Sequence, residues 1–176
     1  VPLMRYNEKM VFDGVDTVVT VADDSSLDCA NAITISLWVN PTSTGESGSG
    51  YLLTKDEDYL LHSTGTHECR FYLTLSGGAE SIDSNANSMP LNTWTHVVAT
   101  YDKVTMKMYM NGVLQTDTET VGETIDTNSV ALTIGNNVAL NRAVDGVIDE
   151  TSIFNTALSL AEVQELFNDG VALDAT

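Results

Sequence analysis

Residues 92–115, NTWTHVVATYDKVTMKMYMNGVLQ, constrain the fold more than any other part of the chain. They read as two strands, near 94–101 and 106–110, joined by a tight turn. The second strand then runs into a hairpin closed on Asn111-Gly112. Both central residues of a type I′ turn need positive φ, and Asn-Gly meets that need at the least steric cost. Antiparallel pairing is therefore written into the middle of the chain.

Alternation with period two recurs on either side, broken by clusters of Gly, Asp, Asn and Ser, which is the pattern of a sandwich. Ile33, Ile35, Leu37 and Val39 alternate with Thr34, Ser36 and Trp38. Phe71, Leu73 and Leu75 alternate with Arg70, Tyr72 and Thr74, and Met106, Met108 and Met110 with Lys107 and Tyr109. Each set has one oily face for a shared core and one mixed face. Further strands are expected near 9–13, 17–21, 51–54, 58–62, 130–135 and 146–154. The loop TSTGESGSG (42–50) reads as a surface connection. One helix is signalled near the end, where Ser159 and Glu162 form a capping box and Leu160, Val163, Leu166 and Phe167 make one stripe. Gly170, after Asn168-Asp169, is its expected stop.

The chain has 176 residues, which an all-β sandwich fills as one domain. A chain of this size buries roughly 70% of its extended surface on folding. No run of about 18 apolar residues is present, so no membrane insertion is expected. The N-terminal VPLMRYNEKM has no basic-then-apolar signal, and the chain reads as a mature or excised piece of a larger protein. There are 25 acidic residues against 7 basic, a formal net charge of −18. Such a surface repels phosphate backbones, which argues against nucleic acid as a partner. The same carboxylates suit Ca²⁺, a hard cation, and equally suit plain solubility. Cys29 and Cys69 each precede a predicted strand, without C-x-x-C spacing. The expectation is a Cys29–Cys69 disulfide worth about 4 kcal/mol and an oxidising compartment; the alternative is two free buried thiols.

Several segments resemble one family. The W-x-H-V…Y-x-N-G stretch, the FDG turn of VFDGVDTVVTV (11–21), ITISLWVNP (33–41) and VDGVIDETSIFNTALSLAEVQELF (144–167) are similar, in chain order, to laminin-G-like, concanavalin-A-like jelly-roll domains. Together they also resemble the pentraxins. The resemblance implies an all-β, antiparallel two-sheet jelly roll with one short C-terminal helix, set in an extracellular, secreted or cell-surface protein. It implies a packing role for Trp38. Fold alone does not imply function, because this one hosts lectins, adhesion domains and hydrolases.

The resemblance also implies two places for calcium. First and last strands are neighbours in this fold, so Asp13 in the FDG turn and Asp149 in GVIDE would share a site. In pentraxins, segments similar to TKDEDYLL (54–61) and IGNNVALN (134–141) hold calcium, so Asp56, Glu57, Asp58, Asn136 and Asn137 would supply oxygens. The pentraxin acidic loop is not matched, since TDTETVGETID (116–126) has other spacing. For both places the alternative is turn-forming Asp and Asn bonding their own backbone.

Catalysis is not expected. The glucanase strand E-x-D-x-x-E, with paired carboxylates flanking the sugar, has no match, nor does the lyase strand R-x-E-x-R. His62, His67 and His96 lack a Ser or Cys nucleophile at meaningful spacing, and His96 reads as a packed histidine. A sugar site needs aromatic platforms with polar partners. By alternation Arg70, Tyr72 and Tyr109 are the candidates, with Asp58 and Asn137 on loops at the edge. The favoured reading is a non-catalytic, lectin-like module binding a glycan, with Ca²⁺ as the implied cofactor. An adhesion or spacer domain making protein contacts is the alternative, and a divergent glycan hydrolase or lyase a remote third.

Overall fold

The computed structural model describes residues 9–56 and 58–168. Glu57 and the expected helix stop at Gly170 lie outside them. In chain order the described strands are β1 (Met10–Asp13), β2 (Val19–Val21), β3 (Ile33–Pro41), β4 (Tyr51–Lys55), β5 (Tyr59–Ser63), β6 (Cys69–Leu75), β7 (Gly78–Asp83), β8 (Thr95–Tyr101), β9 (Thr105–Met110), β10 (Val113–Thr120), β11 (Leu132–Ile134) and β12 (Asp145–Phe154). A helix, α1, spans Leu160–Phe167. The strands form two six-stranded sheets, ordered β1-β12-β3-β8-β9-β10 and β2-β11-β4-β5-β6-β7. All pairings are antiparallel. This is the sandwich that the alternation implies and the jelly roll that the resemblance implies, with the first and last strands paired.

The central hairpin forms as its sequence dictates. Asn111 and Gly112 take φ of 52° and 73°. Asn111 also donates its backbone N–H to the His96 carbonyl, while its side chain accepts from the His96 N–H, both at 2.9 Å. Ile33, Ile35, Leu37 and Val39 meet Phe71, Leu73, Leu75 and the three alternating methionines in the core between the sheets. Phe12 plugs one end of this core, where any side chain at residue 135 would collide with its ring; Gly135, at φ 82°, is what lets it in.

Cys29 and Cys69 are both buried in this core as free thiols, so the expected disulfide is corrected. Burial disfavours the thiolate and pushes both thiols up from their ordinary range. The oxidising compartment inferred from a disulfide loses that support.

The two sheets differ on their outer faces. The segment after β12 folds back over the first sheet, where Thr34 donates to the Thr156 carbonyl at 2.6 Å and accepts from the Leu158 N–H at 2.9 Å. The expected capping box starts α1: the Ser159 side chain accepts from the Glu162 N–H, and the Ser159 N–H donates to the Glu162 carboxylate. Val163 then packs with Val98, Tyr109 and Leu158 in a second apolar cluster. Phe167 stacks on Trp38 at 5.7 Å and on His96 at 5.9 Å between ring centroids. Strand β3 is thereby covered on both sides, and Trp38 is a packing residue. No described helix is long and apolar enough to cross a membrane.

Strand β7 was not foreseen. Its sequence, GAESID, sends only Ile82 into the core, so it carries no alternation to read. It is an edge strand held by its backbone ladder to β6. Side chains close it against the other sheet's edge, β10. The Asp83 N–H donates to Asp117 at 3.0 Å, the Asn85 N–H to Gln115 at 2.9 Å, and the Thr116 N–H to Asn85 at 3.1 Å.

Two outcomes follow. Unreduced protein unfolded before alkylation should show two free thiols by mass spectrometry, and folded protein should protect both; an intact bridge would contradict the packing. The second concerns acid. Burial lowers His96 from 6.5 to about 4. The unfolded chain therefore takes up this proton at a higher pH than the folded one, and stability is complete above about 6.5 and falls as pH drops towards 4. Denaturant unfolding across that window should show a smaller loss in His96→Gln than in the parent, and equal losses would exclude His96 as a source.

Candidate functional site

With the first sheet covered, the open sheet face is the outer side of the second. Cross-strand partners share a face, so the register lays side chains in rows. One row runs Tyr51, His62, Arg70, Asp83 across β4, β5, β6 and β7. The next runs Thr54, Leu60, Tyr72, Ser81. Leu60, His62, Arg70, Tyr72 and Thr74 are all half-buried, neither lost in the core nor free in solvent. The rows line a groove of about 450 Å³, closed at one end by Asp56 and Asp58. A second depression, about 580 Å³, adjoins it at Asp58 and Thr74 and reaches Asp126 and Asn128.

The polar groups here are already oriented. Arg70 donates from Nε and Nη2 to the two carboxylate oxygens of Asp83, both at 2.7 Å. The guanidinium holds Asp83 below the usual carboxylate range. His62 Nδ1 lies 2.8 Å from the Ser63 carbonyl and 2.9 Å from the Ser49 hydroxyl. The carbonyl only accepts, which assigns the proton to Nδ1, with the Ser49 oxygen as its second acceptor, and leaves Nε2 as an acceptor. Burial lowers the His62 pKa, which keeps the ring neutral at pH 7. Tyr51 leans on that ring at 5.6 Å between centroids.

Beneath the acidic end lies Lys55, fully buried. Its Nζ is 3.1 Å from Asp23, 3.2 Å from Asp58 and 3.6 Å from Asp28. It also donates to the Asn128 carbonyl. Asn128 in turn donates from its side chain to Asp58 at 2.8 Å and from its backbone N–H at 3.2 Å. Burial pulls the ammonium's pKa down, and the carboxylates of Asp23 and Asp58 more than reverse it. One cation thus joins the 23–28 loop, the β4–β5 turn and the 126–128 loop.

The structure brings Arg70 and Tyr72 together as expected but separates them from Tyr109. Tyr109 is on the other sheet, only 4% exposed, under α1, so it is no ligand platform on this face. The calcium sets do not converge either. In the β1–β12 register Asp13 faces Asp145, and Met10 faces Ile148. That leaves Asp13 and Asp149 four residues apart along the ladder, about 13 Å at the usual rise. Asp13 Oδ1 already accepts from the N–H groups of Val15, Asp16 and Thr17, which lower its pKa to about 2. Asp149 accepts from the Glu150 N–H. Asp13 is a turn carboxylate, and Asp149 lies within β12 where its register shifts. In the second set, Asp56 and Asp58 lie beyond one end of β4 and Asn136 and Asn137 beyond the other, since Lys55 faces Leu132 and Leu53 faces Ile134. Asn136 Oδ1 is occupied by the Asn137 and Arg142 N–H groups, and Asn137 Oδ1 by that of Asn141. Among the described residues no three His, Cys, Asp or Glu are grouped to hold a metal. The described residues of the two expected calcium sets do not converge on a site.

Tyr51, Leu60, His62 and Asp83 were missed as site residues. For two of them the signal was in YLLHS (59–63), where Tyr59, Leu61 and Ser63 are buried and Leu60 and His62 face outward.

These features belong to a known class. The family described as the concanavalin A-like lectin/glucanases superfamily (Laminin_G_3) matches residues 13–164, and the chain belongs to it. No curated protein sequence matches it. Among solved structures it is similar to the CBM40 of the Ruminococcus gnavus IT-sialidase, bound to α2,3-sialyllactose, with TM-score 0.70, 17% identity and coverage of 92% of this chain and 97% of that one. It is similar to domain 4 of AbnA, a GH43 extracellular arabinanase from Geobacillus stearothermophilus, in complex with arabinotriose, with TM-score 0.68, 20% identity and coverage of 93% and 78%. A heptameric SAP-like pentraxin from Limulus polyphemus gives TM-score 0.64 and 16% identity over 90% of this chain and 81% of that one. The chain spans under half of the toxin binding domains it also resembles, 47% of that of Paraclostridial Mosquitocidal Protein 1. At these identities the likeness shows the fold.

The Lys55 cluster makes a prediction of its own. Lys55→Met leaves the buried Asp58 carboxylate uncompensated and should lower stability by about 3–5 kcal/mol, the usual range for breaking a buried pair on one side. Denaturant unfolding measures it, and an unchanged midpoint would mean that the loops hold without the cation.

Proposed function

We propose that this chain is a non-catalytic carbohydrate-binding module whose ligand lies across the open face of the second sheet, on Tyr72. The observation that carries this reading is the pair of side-chain rows: apolar and aromatic surface from Leu60, Tyr72 and Tyr51 interleaved with polar groups held in place at Arg70 and His62 and with the Ser81 hydroxyl. Sugars present apolar C–H faces and hydroxyl rims together, and need both kinds of partner at once. The oligosaccharides bound by the CBM40 and arabinanase-domain relatives support the same reading. A binding role without hydrolysis has its own support, because among the described residues the other carboxylate lining the groove beside Asp56 is Asp58, which is tied to Lys55 and Asn128. Glycoside hydrolysis generally needs two. We place the module outside the cell, as is the relative from the extracellular arabinanase. Glycan binding at the groove calls for no calcium.

A glycan array followed by calorimetry, in calcium and in chelator, tests the reading. Tyr72→Ala should weaken binding by on the order of 1–3 kcal/mol and leave the melting temperature nearly unchanged, since Tyr72 is outside the core. Full binding by this variant would move the site elsewhere. No binding of any glycan by the parent would favour the adhesion-domain alternative, in line with the neurotoxin relative solved with synaptotagmin II.

A further inference from the structure

The groove has a charge state as well as a shape. Of the chain's 7 Lys and Arg residues, Arg70 alone lines it among the described residues. A lone arginine in a sugar groove ordinarily marks a carboxylate-bearing ligand, because its planar fork matches a carboxylate in two hydrogen bonds. Here one edge of that fork is already filled. Nε and Nη2 both point at Asp83, with two bonds of 2.7 Å, and Asp83 comes from the neighbouring strand in direct register with Arg70. The other edge keeps its N–H groups, but the guanidinium charge that would hold an acidic ligand there is balanced by Asp83. The pairing is rigid from behind as well, since the Asp83 N–H is held by Asp117 of β10 at 3.0 Å.

The remaining surroundings point the same way. The far end of the groove carries Asp56 and Asp58, and the buried Lys55 that balances Asp58 also faces Asp23 and Asp28. Arg142 is the other cation near the Tyr51 end; it does not line the groove, and its Nη1 donates to the Asn141 carbonyl at 2.9 Å. His62 presents a neutral acceptor nitrogen, which suits a hydroxyl and repels a carboxylate oxygen. Over longer distance a net charge of −18 lowers the local concentration of any anion.

Building on the proposed groove, we infer that its ligands are uncharged oligosaccharides and that Asp83, by pairing with Arg70 and balancing its charge, is the residue that excludes acidic sugars. Asp83 touches no ligand in this scheme: it sets specificity through Arg70. A neutral sugar needs only an N–H donor from the open edge of Arg70, the Tyr72 face and hydroxyl partners such as Ser81 and His62. A uronate or sialate would meet there a guanidinium whose charge is already balanced, with the Asp83 carboxylate close by to repel it.

The test uses neutral hexose oligosaccharides and the uronates of matching linkage and length, which differ only in oxidation at one carbon. The parent should bind a neutral member at least about tenfold tighter than its uronate, the equivalent of 1.4 kcal/mol. Its affinity for the neutral ligand should not change with added salt, because no ion pair forms on binding. Asp83→Asn keeps the shape and leaves the Arg70 charge unbalanced; the ratio of its uronate affinity to its neutral-sugar affinity should rise about tenfold over the parent's. Asp83→Ser serves if the asparagine variant folds poorly, with a melting curve run on each. A parent that takes the uronate as well as the neutral sugar overturns the inference and leaves the groove standing. So does a folded Asp83 variant that binds the neutral sugar and gains nothing with the uronate. If the parent binds no member of either series, the groove reading itself falls, and the inference with it.

Discussion

Lys55 stands at a core-facing position of β4, opposite Tyr59, where alternation calls for an apolar side chain. Its stem fills that place and its ammonium reaches the end of the sandwich, among Asp23, Asp28 and Asp58. Removing a charge from water is expensive, and only close opposite charges with further hydrogen bonds recover it. Several segments far apart in sequence supply them, so loops of a strongly acidic chain are drawn together where they would otherwise repel. The acidic end of the groove has its shape for this reason, and Asp58 is oriented by the same contacts.

The asymmetry between the sheets does the rest. A sandwich buries the inner face of each sheet and leaves two outer faces to be dealt with. In this chain the segment after β12 settles one of them, through Thr34, Val163 and the Trp38–His96–Phe167 stack. What remains is a single open face, with its aromatic and polar residues set by strand register and not by loops. Sites built on strands are held more firmly than sites on loops, which suits a surface that orients hydroxyls.

Much of this was legible in the sequence. The hairpin at Asn111-Gly112, the inward alternation of β3, β6 and β9 and the capping box at Ser159 are local signals, and local geometry realised them. Tyr72 and Tyr109 show where legibility ends. Each points outward from an alternating strand, and only the docking of α1, a distant event in sequence, buries one and leaves the other open. Asp13 shows a second limit, because a carboxylate that closes a turn and one that holds a cation need the same neighbours: oxygen, glycine and free N–H groups. Cys29 precedes β3 as read and Cys69 opens β6, but their depth in the core was not written in their spacing. Asp83 was invisible because β7 has no periodicity, and with it went the pairing that sets the charge of the groove.

The side-chain closure between β7 and β10 has a consequence of a different kind. A sheet edge is a row of unsatisfied N–H and C=O groups, and a strand from another molecule extends the sheet by binding them. Where Asp117, Gln115 and Asn85 occupy backbone N–H groups along this seam, that template is interrupted. The exposed residues of β10, including Asp117 and Glu119, add like charge against an identical approaching edge. Copies of the domain can therefore be crowded, on a surface or along one polypeptide, without zipping into a common sheet, and each keeps its open sheet face free.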